Sequence, residues 1–302
     1  MNIKKLLLKV SFVWGLLLVS SPLLYAQDYT FQVLALDGEV LYMKGEQWQA
    51  VELGQSLLVN DVLRLEENAY LGLAHRNGQT LALDKEGTYE VNRINAKVGN
   101  RAPGVASKYA NLYVNSLKNA NAKTANVSAE RAIDKSRVKV FLPNSVDVFN
   151  DEVILRWDNA SSLDETYEVK LKNMFNEVIL VQEVKDTKTV LNFKDKKIAN
   201  ERMIIVSVNS VDFKEQHSND YGMKHLTPEE AAPIARELKE LKLEITDQQS
   251  ALDKLILASF YEQNNLLADA LTNYEYAISL APDIEAFHLA YDQFIFRNGL
   301  AN

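Results

Sequence analysis

Between Val62 and Leu83 of this 302-residue chain, leucines stand two apart three times: Leu63 and Leu65, Leu71 and Leu73, Leu81 and Leu83. A period of two puts each pair on one face of a strand. A chain that repeats this between turns has to bury those faces in a small antiparallel sandwich or barrel. Asp37-Gly38, Gly54, Asn60-Asp61, Asn77-Gly78 and Gly87 punctuate the stretch from Phe31 to Ile94 as turns. A second alternating stretch, Arg137 to Leu226, holds about seven strand-like runs, and Trp157 follows Val153 and Leu155 in one of them. Such a tryptophan is expected to fill the space between two packed sheets. At Thr227 the period changes. Thr227, Pro228 and Glu230 form a helix-start signal, with the threonine as cap, proline in the first turn and glutamate closing a capping box. Ile234, Leu238, Leu241 and Ile245 then recur at heptad-like spacing, and Leu252, Ile256 and Ser259 continue the stripe.

Between the two strand-rich stretches, Asn95 to Ser136 is rich in Ala and Asn and carries seven Lys and Arg against two Asp and Glu. It reads as a basic linker holding one short helix, with Ser107 as cap and Tyr109, Leu112, Tyr113 and Leu117 on one face. The first 26 residues read as an export signal: Lys4 and Lys5, an apolar centre from Val10 to Ser20, a break at Pro22, and Ala26 before the cut at Gln27. An uncleaved anchor is the alternative, although Lys9 confines its apolar run to Val10 to Ala26. No later stretch is long and apolar enough to span a bilayer, so no stable span is expected after cleavage. The layout is therefore 1–26 signal, 27–94 small antiparallel β domain, 95–136 linker, 137–226 seven-stranded sandwich and 227–302 helical domain, a multidomain β plus α chain.

The order Gly38, Trp48, Leu53-Gly54, Asp61, Ala69 and Asn77-Gly78 resembles the periplasmic domain of the ferric-citrate regulator (FecR-like) family. That resemblance implies sensing or relaying across a periplasm, but the anti-sigma segment of those regulators has no counterpart before the apolar run. The 137–226 stretch resembles an immunoglobulin or fibronectin type III sandwich of the disulfide-free kind. Ala251 to Gly299 resembles the tetratricopeptide repeat. Leu257, Ala258 and Tyr261 match its first helix, Ala270, Tyr274 and Ala277 its second, and Pro282 its closing proline. Asn264-Asn265 stands at the turn where the family favours glycine, and Gly299 lies one 34-residue period later. Phe287, Tyr291, Phe294 and Ile295 would be the apolar face of a further helix, with Asp292 where a small residue is expected. The resemblance implies a concave partner-binding face at Leu252, Leu255, Ser259, Glu262 and Gln263. Two leucines there fit an apolar peptide, or cover by the upstream helix Pro228 to Ile245.

The chain has no cysteine, which excludes disulfides, zinc–thiolate sites and a lipidated cysteine. Pro228 to Asn302 holds five Lys and Arg against thirteen Asp and Glu, the whole net charge of −8. Phosphate neutralisation needs a basic surface, so nucleic acid is not an expected partner. The four histidines lack metal-ligand spacing; His75 is expected at the surface and His288 to pack or cap. Asp37-Gly38 reads as turn chemistry. No nucleophile elbow, phosphate loop or dinucleotide fingerprint is present, so no enzyme and no cofactor are expected. The sequence reads as an exported, periplasmic or otherwise extracytoplasmic adaptor or scaffold that binds envelope proteins. A sensor binding a small ligand or cell-wall glycan through the first β domain is the alternative, favoured if exposed aromatics cluster beside Trp48 and Tyr70.

Overall fold

A computed structural model describes residues 29–99, 101–124, 137–158, 165–245 and 250–300. The export signal expected at 1–26 lies outside the described residues. The alternating leucines form the first sandwich. Its eight strands are β1 (Phe31–Asp37), β2 (Val40–Lys44), β3 (Gln47–Ala50), β4 (Ser56–Leu57), β5 (Val62–Leu65), β6 (Tyr70–His75), β7 (Thr80–Leu83) and β8 (Gly87–Glu90). They make two four-stranded sheets, in the orders β4-β1-β6-β7 and β3-β2-β5-β8. Every pairing within them is antiparallel. Leu63, Leu65, Leu71 and Leu73 lie in its core with Phe31, Val33 and Leu57, while Leu81 and Leu83 pack on it from partly buried positions. The short helix α1 (Val91–Asn95) closes this unit with buried Val91 and Ile94.

The second sandwich has eight strands among the described residues, one more than the seven sequence runs. They are β9 (Lys139–Val140), β10 (Ser145–Val148), β11 (Glu152–Asp158), β12 (Tyr167–Asn173), β13 (Val178–Val184), β14 (Lys188–Asn192), β15 (Met203–Ser210) and β16 (Tyr221–His225). One sheet is β10-β16-β15-β12-β13 and the other β14-β11-β9. The additional strand, β10, pairs in parallel with β16 and alternates exposed Ser145 and Asp147 with buried Val146 and Val148. Four residues after Pro143 are too short a run to stand out by periodicity alone. Trp157, on β11, is fully buried and meets Tyr167, on β12 of the opposite sheet, edge-on at 5.5 Å.

The helices are α2 (Val105–Thr124), α3 (Pro228–Glu244), α4 (Ala251–Gln263), α5 (Leu267–Leu280) and α6 (Glu285–Arg297). None among the described residues is long and apolar enough to cross a membrane. The capping box expected at Thr227 is present: its hydroxyl accepts the Glu230 N–H at 3.3 Å, and the Glu230 carboxylate accepts the Thr227 N–H at 2.9 Å. Asn265 takes the left-handed conformation at the α4–α5 turn, with φ 57°. Ala258 and Ala270 are buried in the hairpin beside Tyr261 and Tyr274. Phe287, Tyr291, Phe294 and Ile295 form the buried face of α6 as expected.

Of the expected 95–136 linker, residues 125–136 lie outside the described residues, and the described part departs most from the sequence reading. Its helix runs twenty residues and is a core element, not part of a solvated connector. Ala106, Tyr109, Ala110, Tyr113, Val114 and Leu117 are all buried. Small alanines between large tyrosines let α2 approach its neighbours closely, which a count of large apolar residues misses. Ser107 does not cap the helix. It lies inside α2, and its hydroxyl donates to the Arg76 carbonyl at 2.9 Å. The N-terminal donor of Ala106 goes instead to the Glu244 carboxylate of α3 at 2.7 Å. At the Asn77-Gly78 turn, a side chain on Gly78 would come within 2.6 Å of the α2 backbone, and its φ is 89°. One apolar core runs from the second sandwich through the helices and reaches Leu34, Ala35 and Ala74 of the first.

Candidate functional site

The five residues expected on a partner-binding face do not line an open groove. Leu252, Leu255 and Ser259 are buried on α4. The Leu252 methyls press against Gly72 on β6, where no side chain would fit without displacing them. The Ser259 hydroxyl donates to the Tyr109 carbonyl of α2 at 3.2 Å, and Tyr109 meets Phe260 edge-on at 5.1 Å. Glu262 receives Arg297 of α6 through two hydrogen bonds of 2.6 Å and the Asn298 amide at 2.8 Å. Of the five, Gln263 alone is exposed. The groove is therefore filled from within, and the helix that fills it is α2 rather than the expected Pro228 to Ile245 helix. α3 packs on α2 instead.

Polar groups at this hub join the helices to both sandwiches. On the first sandwich, the Thr80 hydroxyl donates to Asp253 of α4 at 2.6 Å, although Asp253 has no exposed surface. Asp37, read as turn chemistry, also accepts the Glu285 N–H at 3.0 Å and so serves the start of α6. Tyr70 packs edge-on to Phe287 of α6 at 5.9 Å, and burial pushes its phenol up to about 12.

On the second sandwich the joint is made by one face of α5. Asp269 accepts three hydrogen bonds from the β10–β11 loop: Phe149 N–H at 2.9 Å, Asn150 N–H at 2.8 Å and the Asn150 amide at 2.7 Å. Burial pushes its carboxyl up to about 6, against the pull of those donors, which favour the anion. One turn on, the Thr272 hydroxyl accepts the Ile154 N–H of β11 at 2.8 Å and donates to the Ala268 carbonyl. Glu275, also buried, pairs with Lys188 of β14 at 3.0 Å and faces Arg156 of β11 at 3.7 Å. The sequence reading passed over Asp253, Asp269 and Glu275. For Asp269 and Glu275 the available signal was α5 itself: acids set in a mostly apolar helix have to face partners, because the helix has little solvent side to offer them.

Other expectations are corrected here. His75 is buried, with Nδ1 accepting the Asn77 N–H at 3.3 Å and Nε2 lying 3.0 Å from Asn95 Oδ1. It is drawn inside because β6 is buried along most of its length and its end turns against α2. His288 donates to the Pro282 carbonyl at 2.9 Å, in keeping with a packing or capping role. Trp48 and Tyr70 form no cluster. Trp48 lies on β3 with the Arg64 guanidinium 4.8 Å over its ring, while Tyr70 sits in the other sheet against α6. Among the described residues no three His, Asp or Glu side chains gather as metal ligands. Comparison with known proteins adds no relative: no family model matches the chain, and no curated protein matches it.

Proposed function

We propose that this chain is a non-enzymatic scaffold or adaptor of a bacterial cell envelope, exported by its leader and joined to envelope proteins through its outer faces. The observation that carries this reading is the use made of its buried acids. Asp253, Asp269 and Glu275 are groups that could do acid–base work in a cleft. Each instead binds a group from a neighbouring β unit: Thr80, the Phe149–Asn150 backbone, and Lys188 with Arg156. Such joints hold several surfaces at fixed mutual positions, which is what a scaffold requires.

The finer assignments belong to the same proposal. The first sandwich is read as FecR-like from its turn glycines and leucine pairs. The second is read as immunoglobulin-like. Support comes from the buried tryptophan between its sheets, and from β10, which leaves the sheet that holds β9 and pairs in parallel with the last strand. The α4–α5 hairpin is read as a single tetratricopeptide-like unit serving as an internal joint. The alternative, a sensor of a small ligand or cell-wall glycan working through the first sandwich, would draw support from exposed aromatics beside Trp48 and Tyr70; Trp48 instead carries Arg64 over its ring, and Tyr70 packs on Phe287. Cross-linking of the tagged full chain in intact cells, followed by mass spectrometry of the adducts, tests the scaffold reading. The expected result is the same envelope proteins in repeated experiments, joined through exposed residues. Recovery of uncross-linked chain alone would count against it.

A further inference from the structure

Strand β13 leaves a long apolar edge open. It reads VILVQEV, five apolar residues of seven, and pairs on one side only, with β12. Among the described residues no strand takes the N–H and C=O groups on its outer side. Proteins blunt such edges with lysine, proline, bulges or a covering element, because a bare edge is a template for another strand. β13 has no proline and no lysine. It has one charge, Glu183, and one bulge, at Ile179 near its start. Val178 and Val181 are exposed along it, and Ile179, Leu180 and Val184 reach the core from partly buried positions. Its neighbours extend this apolar side. Met174 and Phe175, in the preceding turn, are 67% and 76% exposed. Exposed Val190 lies on β14, the edge of the other sheet, which a Gln182–Thr189 hydrogen bond of 3.2 Å ties to β13.

We propose that β13 pairs with β13 of a second copy of this chain, antiparallel about a two-fold axis at Val181, so that two five-stranded sheets join into one of ten strands. The charges select this occupant and this register. With Val181 beside its own copy, Leu180 stands across from Gln182 and Ile179 from Glu183. Just beyond the strand ends, Glu177 stands across from Lys185, twice by symmetry. Both are exposed, and the Asn173 amide holds one oxygen of Glu177 at 2.8 Å. Moving the axis to Leu180 sets Glu177 against Glu183, and moving it to Gln182 sets Val178 against Asp186. The Val181 axis alone of the three opposes unlike charges. The neighbouring charges are engaged within each copy: Glu168 with Lys170 at 2.8 Å, Lys172 with Asp220 at 3.5 Å, and Asp186 with the Thr187 N–H at 2.6 Å. Glu183 lies opposite Glu168, on the outer face of the sheet with Val181. The same pairing covers Val178 and Val181, and it brings the Met174–Phe175 turn of each copy alongside the β13–β14 turn of the other.

The test uses the chain from Gln27 onward, which contains every described residue. Equilibrium sedimentation is expected to show monomer and dimer in exchange. Val181→Lys puts two cations at the axis and weakens the dimer at least about ten-fold. Lys185→Glu weakens it about three-fold or more, and E177K/K185E restores it, because exchanging both charges rebuilds the same two pairs. The chain has no cysteine, so Val181→Cys reports the axis directly. Oxidation with copper phenanthroline is expected to join two copies through a disulfide there, while Val211→Cys, equally exposed, stays unjoined. All of these positions are at the surface, and thermal melting verifies that the variants stay folded. A monomer at concentrations up to about 100 μM overturns the proposal. So does a dimer indifferent to Val181→Lys, a failure of E177K/K185E to restore what Lys185→Glu loses, or equal disulfide yield at the two cysteine positions. None of these outcomes decides the in-cell cross-linking to envelope proteins that tests the scaffold reading.

Discussion

Asp269 concentrates the physics of the hub in one side chain. Its carboxylate is buried and takes three donors from one loop, so no other residue type fits well. Asp269→Asn turns an amide N–H against an N–H donor and is expected to cost about 2 kcal/mol, measured by urea unfolding at pH 7. The pH dependence has a definite sign. The folded pKa of about 6 exceeds the ordinary 3.8, so the folded chain holds this proton more tightly than the unfolded chain does. The contribution is present below about 4 and is lost as pH rises through 6, roughly 3 kcal/mol at 1.36 kcal/mol per unit. Subtracting the pH profile of Asp269→Asn from that of the wild type should reveal this fall, and a flat difference between pH 4 and 7 would contradict it. Gly72 makes a second point at the same scale. Gly72→Ala forces a methyl into Leu252 and is expected to cost about 1–3 kcal/mol. Adding Leu252→Ala should make the pair less costly than the sum of the single changes. Strict additivity would mean that the two residues do not touch.

At the scale of elements, α2 determines how the rest is read. Ala110→Asp places a charge on its buried face and should destabilise the helices by about 3 kcal/mol or more, seen as a lowered melting temperature. Were α2 a solvated linker, the same change would be silent. The strands and the α4–α5–α6 helices were legible because their signals are local. Leucines two apart at Leu63/Leu65 and Leu71/Leu73 report a buried strand face, and Thr227 with Glu230 reports a helix start through bonds made within four residues. The partner of α4 was not legible, because long-range packing has no local signature. Leu252 and Leu255 indicated only that something apolar covers them. Leu252 is met by Gly72 of β6, and whether α2 or α3 packs on the rest of α4 depends on how Ala106, Ala110 and Gly78 fit together across the chain. His75 was misplaced for the same reason: a histidine before an Asn-Gly turn is normally exposed, and this turn abuts a helix that lies 28 residues further on.

At the scale of the whole molecule, the helices act as the piece between two sandwiches. The core of the second sandwich is continuous with the helical core, while the first sandwich keeps most of its core to itself and joins through Leu34, Ala35, Ala74 and the Leu252–Gly72 contact. Trp48 and Trp157 stand one in each sandwich and offer a probe of that coupling. In single-tryptophan forms of the chain from Gln27 onward, Ala110→Asp should shift the Trp157 transition strongly and the Trp48 transition less. Equal shifts would mean one undivided unit, and no shift of either would mean that α2 is dispensable. The central claim, that α2 closes the α4 face from within, is tested most directly by native-state hydrogen exchange of the amides from Ala106 to Leu117. The account predicts protection comparable to that of Leu255 to Phe260 in α4. Exchange of this segment at the rate of an unstructured linker, with α4 still protected, would contradict it.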